Sequence, residues 1–173
     1  GHRPNKEIVS LQEMADRIKA AVDAKTNDDF FILARTDSYA IEGLQASIDR
    51  AGAYIEAGAD GIFAEAMASL DEYQAYDEAI NAPLLANMTE FGMSPLFAKE
   101  ELAAHGVNMI LYPLTATRAM NKAAEMVYQE VLDKGHQKDV VEHMQTRMEL
   151  YDYLNYHEYE ETLDKLFSQG KNK

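Results

Sequence analysis

The chain has 173 residues, 47% hydrophobic and 27% charged, with a formal net charge of -14 and no cysteine. That length suits one domain with a real core and is too short for a comfortable pair. The acidic balance excludes a nucleic-acid or anionic-membrane surface, and the missing thiols exclude disulfides and thiolate metal sites.

A polar stretch over 1–9 leads into Ser10-Leu11-Gln12-Glu13, the pattern of a capping box at a helix start. Met14, Ile18 and Val22 then share one helical face. Asn27-Asp28-Asp29 interrupts before a strand over about 30–35, and Leu44, Ile48, Ala51 and Ile55 predict a helix over about 41–57, ended by Gly58. A second strand covers about 60–65. Ser69-Leu70-Asp71-Glu72 is another capping box, opening a helix with Tyr73, Tyr76 and Ile80 inward. Pro83 introduces a third strand at 84–87, and Ser94-Pro95 reads as an N-cap followed by proline at the first helical position. That helix stops near His105-Gly106. A fourth strand at about 108–112 gives way to a long helix through Met120, Ala124, Val127 and Val131, ended by Gly135.

Short apolar strands alternating with helices predict a parallel sheet buried on both faces. Right-handed crossovers put all C-terminal strand ends on one side, where a (β/α)8 barrel carries its reacting groups. A complete barrel needs about 250 residues, so four units predict half of one, over 1–135. Residues 136–173 hold no further strand pattern. There Tyr151, Tyr153, Tyr156 and Tyr159 form either a contact surface for another subunit or a helix packed on the chain's own barrel.

The strand ends carry polar groups: Arg35-Thr36-Asp37, Glu65, Asn87-Met88-Thr89-Glu90, and Pro113. Arg35, Glu65, Asn87, Thr89 and Arg118 all fall at the predicted mouth. Two guanidinium groups on so acidic a chain point to an anionic substrate, because arginine pairs bidentately with carboxylate or phosphate. Any one of these residues has a commoner structural role as a salt bridge or cap; five together favour a site. The five histidines share no i, i+3 or i, i+4 spacing, which disfavours zinc, and no glycine-rich phosphate loop is present. No apolar run reaches the roughly 18 residues of a membrane span and no signal peptide opens the chain, so a cytoplasmic location is expected.

Several stretches resemble the isocitrate lyase and phosphoenolpyruvate mutase superfamily, and within it the 2-methylisocitrate lyases. They are Gly1-His2-Arg3-Pro4-Asn5-Lys6, Ala34-Arg35-Thr36-Asp37, Glu65-Ala66, Leu85-Ala86-Asn87-Met88-Thr89-Glu90-Phe91-Gly92, Leu111-Tyr112-Pro113-Leu114, Arg118-Ala119-Met120-Asn121 and Met144-Gln145-Thr146-Arg147. The resemblance implies a Mg²⁺-dependent lyase cleaving 2-methylisocitrate, a small tricarboxylate, to pyruvate and succinate in propionate catabolism. It implies substrate contacts from Gly1, Arg35, Glu65, Asn87, Met88 (through its backbone), Thr89, Arg118 and Arg147, with Glu65 and His2 in catalytic positions. It also implies a homotetramer whose C-terminal helices are exchanged between subunits. The family's Lys-x-Cys-Gly-His loop would place the catalytic cysteine just before Gly1, and the Mg²⁺ ligands in earlier strands. The 173 residues alone are then expected to be inactive. The alternatives are a sister lyase, decarboxylase or mutase acting on another small carboxylate, and a non-catalytic half barrel serving in assembly.

Overall fold

The computed structural model describes residues 7–170, so the expectations for Gly1 and His2 lie outside the described residues. Contacts divide the chain into two compact units, up to Thr117 and from Arg118 onward.

The first unit runs α1 (Leu11–Asp23), β1 (Leu33–Thr36), α2 (Tyr39–Glu42), α3 (Leu44–Glu56), β2 (Gly61–Ala64), α4 (Leu70–Ala79), β3 (Leu84–Asn87), α5 (Lys99–Ala104) and β4 (Met109–Leu111). The strands form one sheet in the order β1-β2-β3-β4, every pair parallel. Arg35 stands opposite Phe63, Phe63 opposite Leu85, and Leu85 opposite Met109. All C-terminal strand ends therefore lie on one side, as the alternation of strands and helices predicts.

One face of the sheet is packed and the other is not. Ala34, Thr36, Ile62, Ala64, Leu84 and Ala86 are buried, in one core with Ile18, Ile48, Tyr54, Tyr73, Tyr76 and Leu102 from the helices. The alternate residues Arg35, Phe63, Leu85, Asn87 and Met109 are half-buried or exposed. This corrects the expectation of a sheet buried on both faces. The run of apolar residues hides the alternation, because Phe63, Leu85 and Met109 are apolar while lying on the open face.

Local chemistry explains most boundaries. Ser69 and Glu72 form the full capping box expected of them, and Glu72 also accepts from Ala68 N–H at 2.6 Å and from the Tyr39 hydroxyl at 2.6 Å. At α1 only half the box forms. Ser10 Oγ accepts from Glu13 N–H at 3.2 Å, but the Glu13 carboxylate turns to Arg17 instead. The helix expected at 41–57 is two, α2 and α3, because Gly43 adopts φ +83° and breaks the ladder. Ser94-Pro95 does not begin a helix; α5 starts at Lys99. Phe97 is held first, its N–H on Met88 Sδ at 3.4 Å and its ring edge-on to Tyr73, and Glu101 caps the later start by accepting from Ala98 N–H at 2.7 Å.

The second unit comprises α6 (Thr115–Lys134) beyond Thr117, a 3₁₀ turn (Lys138–His143), α7 (Arg147–Leu154) and α8 (Tyr156–Gly170), and no strand lies among its described residues. Neither α6 nor α7 buries a residue. Leu132, Tyr153 and Phe167 are 79%, 83% and 69% exposed, and Tyr151 stacks on Tyr156 with ring centroids 4.2 Å apart.

Candidate active site

Three side chains on the open face of the sheet converge at its C-terminal end. Arg35 projects from β1, Glu65 follows β2 and Asn87 ends β3. The strands bring residues far apart in sequence side by side, and the period of two places all three on one face. Arg35 Nη2 lies 3.3 Å from Glu65 Oε2, and Asn87 Nδ2 donates to the same oxygen at 3.4 Å. Glu65 thus joins the two donors.

Arg35 is held from a second side by Asp37, which accepts from Nε at 2.7 Å and from Nη2 at 3.1 Å. The fork-to-fork pairing fixes the plane of the guanidinium, which also lies 4.8 Å from the centre of the Phe63 ring. These bonds use Nε and Nη2, and neither carboxylate engages Nη1. The hydrogen bonds to Asp37, aided by the charge of Glu65, raise the Arg35 pKa above its ordinary value against the opposing effect of burial. The cation is permanent.

Two further polar atoms point to ligand binding. Asn87 Oδ1 and Thr89 Oγ1 are buried with no hydrogen-bond partner among the described residues. Buried polar atoms without partners are uncommon and costly, and an active site is where a ligand group satisfies them. Thr89 itself is 7% exposed. Met88 between them differs: its side chain is buried, its sulfur accepts from Phe97 N–H, and its own N–H donates to Leu111 O at 2.9 Å. Only its carbonyl could serve a ligand.

Arg118 and Arg147 belong to the second unit, Arg118 half-buried in α6 and Arg147 exposed at the first residue of α7. The structure therefore brings together Arg35, Glu65 and Asn87, with Thr89 two residues beyond. Sequence reasoning passes over Asp37 and Phe63 as site residues. The i, i+2 spacing of Arg35 and Asp37, which puts both on one face of an extended chain, is the signal that finds Asp37; Phe63 has none, being one apolar strand residue among several.

The mouth does not by itself make a Mg²⁺ site. That ion requires about six oxygen donors in octahedral array, whereas both carboxylates here, Asp37 and Glu65, are engaged by Arg35. Elsewhere, His136 does come close to Glu130 and Asp139, within 4.8 Å, despite the unpromising histidine spacing. Lys134 already bridges those carboxylates, 2.8 Å from Glu130 and 2.7 Å from Asp139, so an ammonium group stands where a cation would.

Comparison with known proteins identifies the family. Residues 1–132 match the family model described as phosphoenolpyruvate phosphomutase. The chain is 59% identical over 171 residues to the 2-methylisocitrate lyase of Shewanella oneidensis, covering 99% of this chain and 59% of that protein. It is 57% identical to the Escherichia coli 2-methylisocitrate lyase, covering 99% of this chain and 58% of that one. It thus spans a little under three-fifths of the length of these relatives. Among solved structures it is similar to oxaloacetate acetylhydrolase in complex with 3,3-difluorooxalacetate (TM-score 0.84, 28% identity, covering 95% of this chain and 56% of that one). It is also similar to 2,3-dimethylmalate lyase (TM-score 0.81, 26% identity, 92% and 56% covered). A parallel α/β sheet with polar groups converging at its strand ends, matched by this model over 132 residues, places the chain in the phosphoenolpyruvate phosphomutase family.

Proposed function

We propose that the protein carrying this chain cleaves 2-methylisocitrate to pyruvate and succinate. The four strand-helix units are half of a (β/α)8 barrel, and residues 136–173 are its helical extension. The observation that carries this reading is the line Arg35–Glu65–Asn87 across three strand ends, in a chain 59% identical to a 2-methylisocitrate lyase. The uncovered, partly apolar sheet face supports the half barrel, since Phe63, Leu85 and Met109 are what a barrel lining presents without its remaining strands.

In this reaction a base removes the hydroxyl proton, its electron pair becomes the pyruvate carbonyl, and the carbon-carbon bond pair passes to the succinate fragment, which is then protonated. Arg35 binds a substrate carboxylate through its Nη1 edge, while Asp37 and Glu65 keep its plane from turning. Asn87 and Thr89 direct hydrogen bonds to substrate oxygens, strongest when their charge is greatest. Arg118 and Arg147 contribute further cationic contacts, Met88 its carbonyl and Gly1 a further substrate contact, with His2 and Glu65 in proton handling. Mg²⁺, when bound by residues outside this chain, would supply Lewis-acid stabilisation of developing negative charge. The apolar residues left exposed on α6, α7 and α8 support a homo-oligomer, a tetramer in this proposal. No described helix is long and apolar enough to cross a membrane, and a cytoplasmic location belongs to the same reading.

A sister activity on another small carboxylate is the second reading, favoured by the similarity to oxaloacetate acetylhydrolase and 2,3-dimethylmalate lyase. Steady-state substrate consumption by the intact protein, measured with 2-methylisocitrate and set against isocitrate, oxaloacetate and 2,3-dimethylmalate, with the products of each identified, separates the two. Preference for 2-methylisocitrate is expected; equal or greater turnover of another acid overturns the assignment.

A further inference from the structure

Arg50 lies in α3, away from the strand ends, yet it is only 9% exposed and makes an unusual set of bonds. Its Nε and Nη2 donate to the two oxygens of Glu42 at 2.6 and 2.8 Å. Its Nη1 donates to the backbone carbonyl of Val9 at 3.1 Å and lies 3.5 Å from the Tyr54 hydroxyl. Glu42 ends the short helix that follows β1, only five residues beyond Asp37, the partner of Arg35. Val9 belongs to the segment that precedes α1. One buried guanidinium therefore clamps the short helix after β1 to a segment 41 residues before Arg50 itself.

These parts surround a cavity of about 520 Å³ lined by Glu7, Val9, Arg35, Thr36, Arg50 and Tyr54 among others. Arg50 touches residues on both of its walls. A fork that bonds a carboxylate with one edge and a carbonyl with another fixes the spacing between them, which a lysine ammonium cannot do. The third bond matters for where it goes: it ties the guanidinium that holds Glu42 to a main-chain carbonyl at the cavity rim.

We propose that Arg50 is a positioning residue for the reaction: it sets the separation between the segment ending at Val9 and the Arg35 strand end, and so the width of the cleft beside Arg35. This inference rests on the lyase reading above for its kinetic part alone.

The test uses the intact protein with Arg50→Met and Arg50→Lys, 2-methylisocitrate as substrate, and a glutamate-specific protease as a probe of the bond after Glu7. Arg50→Met is expected to lower kcat/KM at least tenfold, chiefly through kcat, since misplacing groups by about 1 Å can cost a hundredfold. Native-state cleavage after Glu7 is expected to quicken several-fold. Arg50→Lys, which can reach Val9 or Glu42 but not grip both as a fork, should fall between the two and remains measurable if the methionine variant fails to fold. Wild-type kcat/KM in either folded variant overturns the proposal, whether or not cleavage changes. So does a kinetic loss without faster cleavage after Glu7, because the segment is then still held without the fork. If the unsubstituted protein shows no activity on 2-methylisocitrate, the lyase reading fails by itself, and unaltered Glu7 cleavage in both variants then overturns the clamp separately.

Discussion

Replacing Arg35 with methionine isolates the contribution of one cation at the mouth, and the structure gives its size. The guanidinium normally stands between two carboxylates, Asp37 at 2.7 Å and Glu65 at 3.3 Å, whose side chains are 23% and 15% exposed. Without it a substrate carboxylate loses a charge-assisted pair of hydrogen bonds, about 1.5–3 kcal/mol. It also meets two negative charges that Arg35 no longer offsets. At a separation of about 6 Å and an effective dielectric constant of about 20, each like-charge contact costs about 2.8 kcal/mol before relaxation. Reorientation and water entry halve such figures at a partly open site, so the net loss expected is about 3–6 kcal/mol, or roughly two to four powers of ten in kcat/KM. The assay is steady-state pyruvate release by the intact protein. The repulsive share has its own signature: Arg35→Met combined with Glu65→Gln should recover part of the activity lost by Arg35→Met alone, even though Glu65 is itself placed in the site. A single variant within threefold of the unsubstituted protein would refute the binding role. A double variant that recovers nothing would refute the electrostatic account of it.

Other consequences concern stability and association. Tyr73 and Tyr76 are buried, and burial, the largest cause for both, raises their pKa values, that of Tyr76 to about 12. The raised folded values mean that stability from these phenols is fully present below the unfolded value of about 10 and is lost as pH climbs through the folded values. An alkaline titration followed by circular dichroism and tyrosinate absorbance should show part of the signal of the ten tyrosines arriving only with unfolding; complete ionisation before unfolding would contradict this. Gly106 has φ +82°, and a Cβ there would lie 2.3 Å from the Asp77 Cβ, an atom no rotamer can move. Gly106→Ala should cost about 2–4 kcal/mol in urea denaturation, and an unchanged midpoint would show that the backbone yields freely. The purified 173-residue chain should associate with itself or with the remaining part of its relatives' sequence, because the open sheet face and α6 to α8 leave apolar side chains in water; light scattering of a monodisperse monomer would refute that.

The alternation of strands and helices is legible in the sequence because each strand is a short apolar run and each helix keeps its own period. β3 coincides with the expected 84–87, helped by Pro83 on one side and the polar Asn87 on the other. β1 begins three residues later than its apolar run, since Phe30 and Phe31 are 65% and 48% exposed and the ladder opens only where Gly61 can pair with Leu33. Arg35, Glu65 and Asn87 are legible as a site because parallel strands bring their ends together. What the sequence hides is the division of labour. The i, i+2 grip of Asp37 on Arg35 needs a backbone conformation to become visible, and the clamp of Arg50 on Val9 joins positions related by no periodicity at all. The split of the second helix at Gly43 hides for a similar reason: the apolar spacing from Leu44 onward persists whether or not one residue before it turns to positive φ.

The acidity of the chain and the chemistry proposed for it pull in opposite directions, and the geometry reconciles them. A net charge of -14 repels a tricarboxylate approaching from afar. At physiological ionic strength, however, the Debye length is about 8 Å, so distant acidic side chains are screened and the groups within a few ångströms decide binding. There the balance depends on how strongly Asp37 and Glu65 already satisfy Arg35. If they only neutralised the cation, the site would attract nothing. They bond its Nε and Nη2 and do not engage Nη1, so the guanidinium is fixed in plane while one nitrogen is left unused by them. The carboxylates then exact a penalty in attraction and return it as orientation, which matters more for a reaction whose charge moves between two carbon fragments than for simple capture. The unpartnered oxygens of Asn87 and Thr89 fit the same arrangement. Asn87 is held through its amide by Glu65, so its free oxygen is aimed by the very carboxylate that steadies Arg35. Glu65 therefore works as the common support of a cationic and a neutral contact, a role that its place at the end of the central β2 strand makes possible.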